Sequence, residues 1–292
     1  MGAEGKIRHV LERSEGHLEL SFKNTPYGTA LDDLYQGGCL KARFPKISRS
    51  EKGGIPKPAI LINTSGGLAD GDRLTQKIQL KPNATAIITS QAAERVYKAH
   101  DLSTPATIDT AITIEEDASL YWLPQETILF NESSLKRHYA LDISASGSCL
   151  AAETLVLGRL AMQEHLTKIS LTDHWRIQFG DKLIFADGFH LGSNLQQQTE
   201  GAALLNGARA LATVFYIGKD AEAYLEPVQK ILANAASTAG VSCRKNILIA
   251  RFLAKKPEAV RADLSATIST IDHIKNPATG GVTSPITSRW IF

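Results

Sequence analysis

The sequence predicts a mainly β fold: a β-helical body of stacked strands over residues 1–200 and a smaller α-containing part over residues 201–292, packed together as one continuous domain. Three observations carry this prediction. Short runs of alternating polar and apolar residues recur between residues 16 and 189, a pattern that buries one face of a strand. A similar segment recurs in the middle of the chain, at residues 80–91, 114–125 and 143–154, each with a polar or acidic turn, a small residue and an apolar run. Helical periodicity enters only after Gly201. The copies begin 34 and then 29 residues apart, intervals at which β coils can stack so that each layer buries its face on the next. Strands at such spacing also occur in β proteins that are not stacked, so the repeat leaves both topologies open.

In chain order, residues 17–22, 29–35 and 38–44 read as strands, and residues 48–57 as a loop. Residues 59–62 form an apolar strand that breaks into a turn holding Ser65, Gly66, Gly67, Gly71 and Asp72. Glycine serves there either for positive φ or for close approach of another segment. Two further strands are split by Lys81-Pro82-Asn83, and the run after Gln91 has helical composition. Residues 106–115 alternate, and residues 118–130 are two apolar runs broken at Pro124-Gln125. Strands follow at 135–143 and 149–157, then a hairpin of 174–179 and 182–189 over Gly180-Asp181, which tolerate positive φ. Residues 208–218 read as a central strand. Asp220 is placed to cap a helix over residues 221–239, with Pro227 in its first two turns. Residues 246–253 are a buried strand. Pro257 opens a second helix with Val260, Leu264, Ile268 and Ile271 on one face, stopped by Asn276-Pro277 and Gly280-Gly281. The tail, residues 283–292, ends in Arg-Trp-Ile-Phe and needs a groove to dock in.

Composition excludes several functions. With 32 basic and 30 acidic residues the net charge is +2, too small to pull the chain toward nucleic acid or an anionic membrane. Cys39, Cys149 and Cys243 are far apart and form no CxxC pair, which disfavours a disulfide framework or structural zinc and points to the cytoplasm. The first residues are polar and charged, without the apolar core of a signal peptide. The longest apolar run, residues 202–217, is interrupted by Asn206 and Arg209, and a spanning helix needs about 20 apolar residues.

Catalytic and cofactor motifs find little footing. Gly66-Gly67 and Gly71-Asp72-Arg73 lack the lysine of a phosphate loop, and neither GxGxxG nor GxSxG occurs. Cys149 sits in an apolar strand, where cysteine is a small buried hydrophobe. The eight histidines include no HxH or HExxH, and Glu164-His165 and His100-Asp101, if on strands, face opposite sides. No tightly bound metal or cofactor is therefore expected. Passing contacts to a borderline metal such as nickel leave no spacing signature, because carboxylates and lone imidazoles serve. Glu115-Glu116-Asp117 reads as a solvated turn, whereas Glu126 lies between apolar runs and is the acidic residue expected near a wall or tunnel.

Four segments in order carry a resemblance: N-T-S-G-G-L-x-x-G-D at residues 63–72, T-S-Q-A-A-E-R-V-Y at 89–97, W-L-P-Q-E-T-I-L-F at 122–130 and L-G-R-L-A-M-x-E at 157–164. Together they resemble the urease accessory protein family UreD, called UreH in some organisms, over most of the chain from about Gly37 to Arg289. The family motif falls on Ser65, Gly66, Gly67, Gly71, Asp72, Gln91, Tyr97, Gln125 and Glu126; Ala69-Asp70 and Ser288 depart from it. The resemblance implies a β-helical body and a scaffold without catalytic activity. It implies binding to UreF, recruitment of UreG through UreF, docking on apo-urease, and nickel in transit to the urease site. Glu94, Gln125 and Glu126, polar residues beside apolar runs, are the expected lining of a weak nickel path. A conduit must bind its cargo weakly. The competing readings are a β-solenoid carbohydrate-active enzyme, which needs a cleft of aligned acidic and basic residues, and a structural β protein without partners.

Overall fold

The structure, a computed structural model, describes residues 12–45 and 56–277. Most of the loop read at 48–57, the Gly280-Gly281 stop, Ser288, Arg289 and the rest of the 283–292 tail lie outside the described residues.

The chain opens with a hairpin of β1 (Glu15–Thr25) and β2 (Gly28–Gly38), then β3 (Leu40–Arg43). Next come β4 (Lys57–Asn63), β5 (Arg73–Leu80), β6 (Thr85–Ser90), β7 (Glu94–Val96), β8 (Ala106–Ile114), β9 (Ser119–Trp122), β10 (Thr127–Leu129), β11 (Ser134–Ile143) and β12 (Ser148–Leu157). A second hairpin, β13 (Ser170–Phe179) and β14 (Lys182–Leu191), leads to a short helix α1 (Leu195–Glu200). The last part holds β15 (Ala210–Ile217), α2 (Leu225–Leu232), β16 (Thr238–Arg244), β17 (Ile247–Ala254) and α3 (Pro257–Lys275).

Two sheets result. A seven-stranded sheet runs β14-β13-β11-β8-β5-β1-β2. A ten-stranded sheet runs β16-β17-β15-β12-β9-β6-β4-β3, with β10 beside β12 and β7 beside β10. Between β4 and β13 the chain passes back and forth between them. The three sequence copies lie side by side: Leu80 pairs with Ile114, and Ile114 with Ile143, in parallel register. The mainly β prediction holds, but the β-helical body is corrected, because both sheets are mixed and the molecule is not a solenoid. The parallel run β1-β5-β8-β11-β13 is flanked by the antiparallel strands β2 and β14, and β12 continues into antiparallel β15, β17 and β16. A stack of coils would leave parallel edges open for further pairing; hairpins turn the chain back at both edges instead. The ten-stranded sheet also crosses residue 201, since β15 pairs with β12.

The core fills the space between the sheets. Period-2 alternation sends Ile108, Ile112 and Ile114 of β8, and Leu171, Trp175 and Ile177 of β13, inward against Leu120, Trp122 and Phe215 of the other sheet. A second core forms on the far side of the ten-stranded sheet, where Val214, Leu248 and Phe252 meet Val228 of α2 and Val260, Leu264, Ile268 and Ile271 of α3. The strands of this region are covered on both faces, which is why they read as nearly continuous apolar runs. Pro257 stands at the start of α3, as its fixed φ favours.

Two local expectations fail for nonlocal reasons. The run after Gln91 is not helical; it is β7, held between β10 and Leu68 by backbone hydrogen bonds. The helix read over 221–239 is a 3-10 turn at Ala221–Tyr224 followed by α2, and residues from Thr238 pair with β17 as β16. Asp220 makes no cap bond; its carboxylate accepts from the hydroxyls of Tyr216 and Tyr224, each at 2.7 Å. No helix among the described residues is long and apolar enough to cross a membrane.

Phe215 packs between Trp175, with ring centroids 4.8 Å apart, and Phe185, 5.2 Å apart. Phe215→Ala is expected to cost about 3–5 kcal/mol of stability, read from urea-unfolding midpoints.

Candidate functional site

A cavity of about 190 Å³ opens between the sheets, bordered by Asn63, Gln91, Glu94, Gln125, Arg137 and Glu153 among others. One wall is the glycine-bearing loop between β4 and β5. Asn63 ends β4, and its Oδ1 accepts from the Ser65 backbone N–H at 3.0 Å, closing an Asx turn. Gly67 has φ +154°, and a Cβ there would stand 2.7 Å from the Arg95 carbonyl oxygen and 2.6 Å from the Tyr97 ring. Only glycine lets the loop come this close. Leu68 N–H then donates to Arg95 O at 2.7 Å, Tyr97 N–H to Leu68 O at 2.8 Å, and the Tyr97 hydroxyl to Gly66 O at 2.8 Å. Asp72 accepts from the backbone N–H groups of Ser14 and Ala69, at 2.7 and 2.8 Å. The departure at Asp70 has its own partners: the buried carboxylate accepts from Arg13 at 2.9 Å and from the His100 N–H at 3.2 Å.

This scaffolding sets Asn63 against β7. Asn63 Nδ2 donates to both carboxylate oxygens of Glu94, at 3.1 and 3.2 Å. Burial pushes the Glu94 carboxyl up to about 7, against the pull of the Asn63 hydrogen bond. Gln91 borders the same cavity and is tied down by its N–H to Leu61 O at 2.8 Å; the Gln125 N–H donates to Ser90 Oγ at 2.9 Å. Of the three residues expected to line a path, Glu94 and Gln125 share the cavity and Glu126 does not border it. Glu126 faces a small groove beside α3, where Arg261 pairs with it at 2.7 Å.

The cavity floor is an ion cluster the sequence reading passed over. Arg137 of β11 and Asp173 of β13 are register partners on adjacent parallel strands. Arg137 Nε donates to Asp173 Oδ1 at 3.0 Å, and its Nη2 donates both to Asp173 and, at 2.6 Å, to Glu153 of β12 in the opposite sheet. Its Nη1 reaches Thr127 Oγ1 at 3.1 Å, and the guanidinium stands 5.1 Å from the Tyr139 ring centroid. The Arg137 and Asp173 side chains are 3% and 2% exposed and Glu153 is 12% exposed, so the guanidinium is a desolvated tie from one sheet to Glu153 of the other. Burial alone would lower the Arg137 pKa, but Asp173, Tyr139 and Glu153 raise it well above the usual value. One cation faces two acids. Burial and the charge of Asp173 push the Glu153 carboxyl far above the ordinary range, with Arg137 opposing them. Glu153 also borders a second cavity of about 300 Å³, lined by Asp173, Trp175 and Phe215 and rimmed by the ion pair of Arg251 and Asp187.

A sequence signal for the cluster did exist. In β11, Leu135, Arg137, Tyr139 and Leu141 share the inward face, and in β13 Leu171, Asp173, Trp175 and Ile177 do. An arginine and an aspartate each stand where the period demands an apolar residue. Among the described residues no group of three or more histidine, cysteine, aspartate or glutamate side chains is arranged to hold a metal ion.

Fold and site together define a class: a two-sheet β protein whose helices cover one sheet and whose interior keeps cavities around a buried ion cluster. The family profile described as UreD urease accessory protein matches residues 14–285. A urease accessory protein UreD of Xanthobacter autotrophicus is 38% identical over 275 residues, covering 94% of this chain and 92% of the relative. One from Azorhizobium caulinodans is 32% identical over 258 residues (88% and 93%), and a urease accessory protein UreD 1 of Brucella abortus is 35% identical over 263 (90% and 91%). The chain belongs to the UreD urease accessory protein family.

Two expectations follow from the electrostatics. Arg137→Met leaves Asp173 and Glu153 buried without their cation and is expected to cost about 3–5 kcal/mol in urea unfolding at neutral pH. Glu94 holds in the folded state a proton that the unfolded chain releases above the ordinary carboxylate range. The folded state therefore binds more protons in that window, and stability falls as pH rises from about 5 through about 7. Glu94→Gln flattens that slope, measured as the unfolding midpoint against pH.

Proposed function

We propose that this chain acts in urease maturation as a non-enzymatic cytoplasmic scaffold, binding UreF, gathering UreG through it, and docking on apo-urease while nickel crosses its interior to the urease site. The single observation that supports a passage is the cavity bordered by Glu94 and Gln125, whose floor residue Glu153 also borders the second cavity. Oxygen donors hold a borderline dication less tightly than imidazole or thiolate, which favours passage over retention, and among the described residues no close-packed ligand cage traps it. Carboxyl groups that hold protons near neutral pH make the cation compete with a proton, which keeps its residence short. The path uses Glu94, Gln125 and Glu153. Glu126, paired with Arg261 on the α3 side, instead joins the 124–126 segment to the helix layer. The carbohydrate-enzyme alternative finds less support, because Glu153 and Asp173 meet at one buried guanidinium and do not flank an open cleft.

The test combines two readouts. Apo-urease, UreF, UreG and this chain are mixed with nickel, and both complex formation and urease activity are measured. Glu94→Gln and Glu153→Gln are expected to retain co-purification with UreF and urease while lowering the activated fraction by about tenfold, the scale on which metal-site neighbours act. Failure of the unaltered chain to join the complex would sink the scaffold. Variants that activate as well as the parent would sink the passage.

A further inference from the structure

The outer face of the seven-stranded sheet carries three imidazoles in a row. Strands β8, β11, β13 and β14 are successive neighbours, and their register places Asp109 beside His138, His138 beside His174, His174 beside Gly188 and Thr172 beside His190. These positions face away from the ion cluster, since the alternate residues Arg137, Tyr139, Asp173 and Trp175 point inward. The rings of His138 and His174 stack with centroids 5.2 Å apart and planes 9° apart. His190 stands diagonally across from His174, with centroids 5.3 Å apart at 79°.

Gly188 is what lets these two rings meet. A Cβ on it would stand 3.2 Å from His174 Nε2 and 3.7 Å from His190 Nε2, so both nitrogens border the gap that a side chain would fill. Neighbours engage one ring nitrogen of His190 and one of His138. His190 Nδ1 lies 3.2 Å from Thr172 Oγ1, and His138 Nδ1 lies 3.3 Å from Asp109 Oδ1. A hydrogen-bond partner on one ring nitrogen orients the imidazole and leaves the other as the ligand.

We propose that His174 and His190 chelate a borderline divalent cation of the nickel, zinc and copper class through their Nε2 atoms in the gap over Gly188, with His138 stacked on His174 as a positioning residue. Neutral imidazoles select such metals over magnesium and calcium, which prefer oxygen. Metal–nitrogen bonds of about 2.0–2.1 Å require small side-chain rotations into the gap, and water completes the coordination. Two protein ligands on an open sheet face give a site that fills and empties readily. The site is separate from the interior cavity, on the opposite face of the same strands.

The experiment titrates the full chain with nickel or zinc chloride at pH 7.5 against a chromophoric chelator, with magnesium as control. His174→Ala and His190→Ala are each expected to weaken nickel binding about tenfold or more, and His138→Ala less, while Glu94→Gln leaves this binding intact. Because Glu94 belongs to the interior path, the two readings fail separately. A second measurement uses the unaltered chain: nickel should protect His174 and His190 from acylation by diethyl pyrocarbonate, mapped by peptide mass. Unchanged affinity in both alanine variants, or protection confined to other histidines, overturns the proposal.

Discussion

Arg137 reaches across the molecule to hold two carboxylates that belong to different sheets, and much of the interior follows from that contact. Asp173 comes from the neighbouring parallel strand and Glu153 from the facing sheet, so the guanidinium is a desolvated tie between layers that otherwise meet through apolar side chains. Ion pairs in such a place gain little net stability, because desolvation opposes the Coulomb attraction. They do impose geometry. Charged groups cannot be packed over by leucine and isoleucine without losing their partners. Cavities open on either side of Glu153.

The family motif supports this interior and does not supply chemistry directly. Its glycines let a loop lie against β7, its Asp72 accepts backbone N–H groups, and Tyr97 ties its hydroxyl back to Gly66. The product of this bonding is the placement of Glu94 opposite Asn63 at the cavity wall. Disturbing a glycine here would move a carboxylate some residues away. The direct work of a motif so placed is to hold backbone in place.

The strands β11 and β13 show how one period serves two faces. Arg137 and Asp173 point into the molecule, while their immediate neighbours His138 and His174 stack on its outer surface. The same parallel register that joins the ion pair aligns the imidazoles, because residues in register keep step along both faces of a sheet. Charge inside and nitrogen ligands outside are thus consequences of one pairing.

The sequence by itself determined what depends on near neighbours. Alternation located most strands, Pro257 and its apolar stripe located α3, and the similarity of residues 80, 114 and 143 anticipated which strands would lie abreast. Tertiary structure decided what depends on partners far along the chain. The run at 92–98 became β7 because β10 and Leu68 supplied hydrogen bonds, and the repeat closed into mixed sheets because hairpins formed the edges. The ion cluster belongs to this second kind: Arg137 and Asp173 are 36 residues apart, and each alone is an unusual inward residue. A local pattern encodes which way a side chain points, but the energy of a buried charge is set by the group opposite it, and only the fold brings that group there.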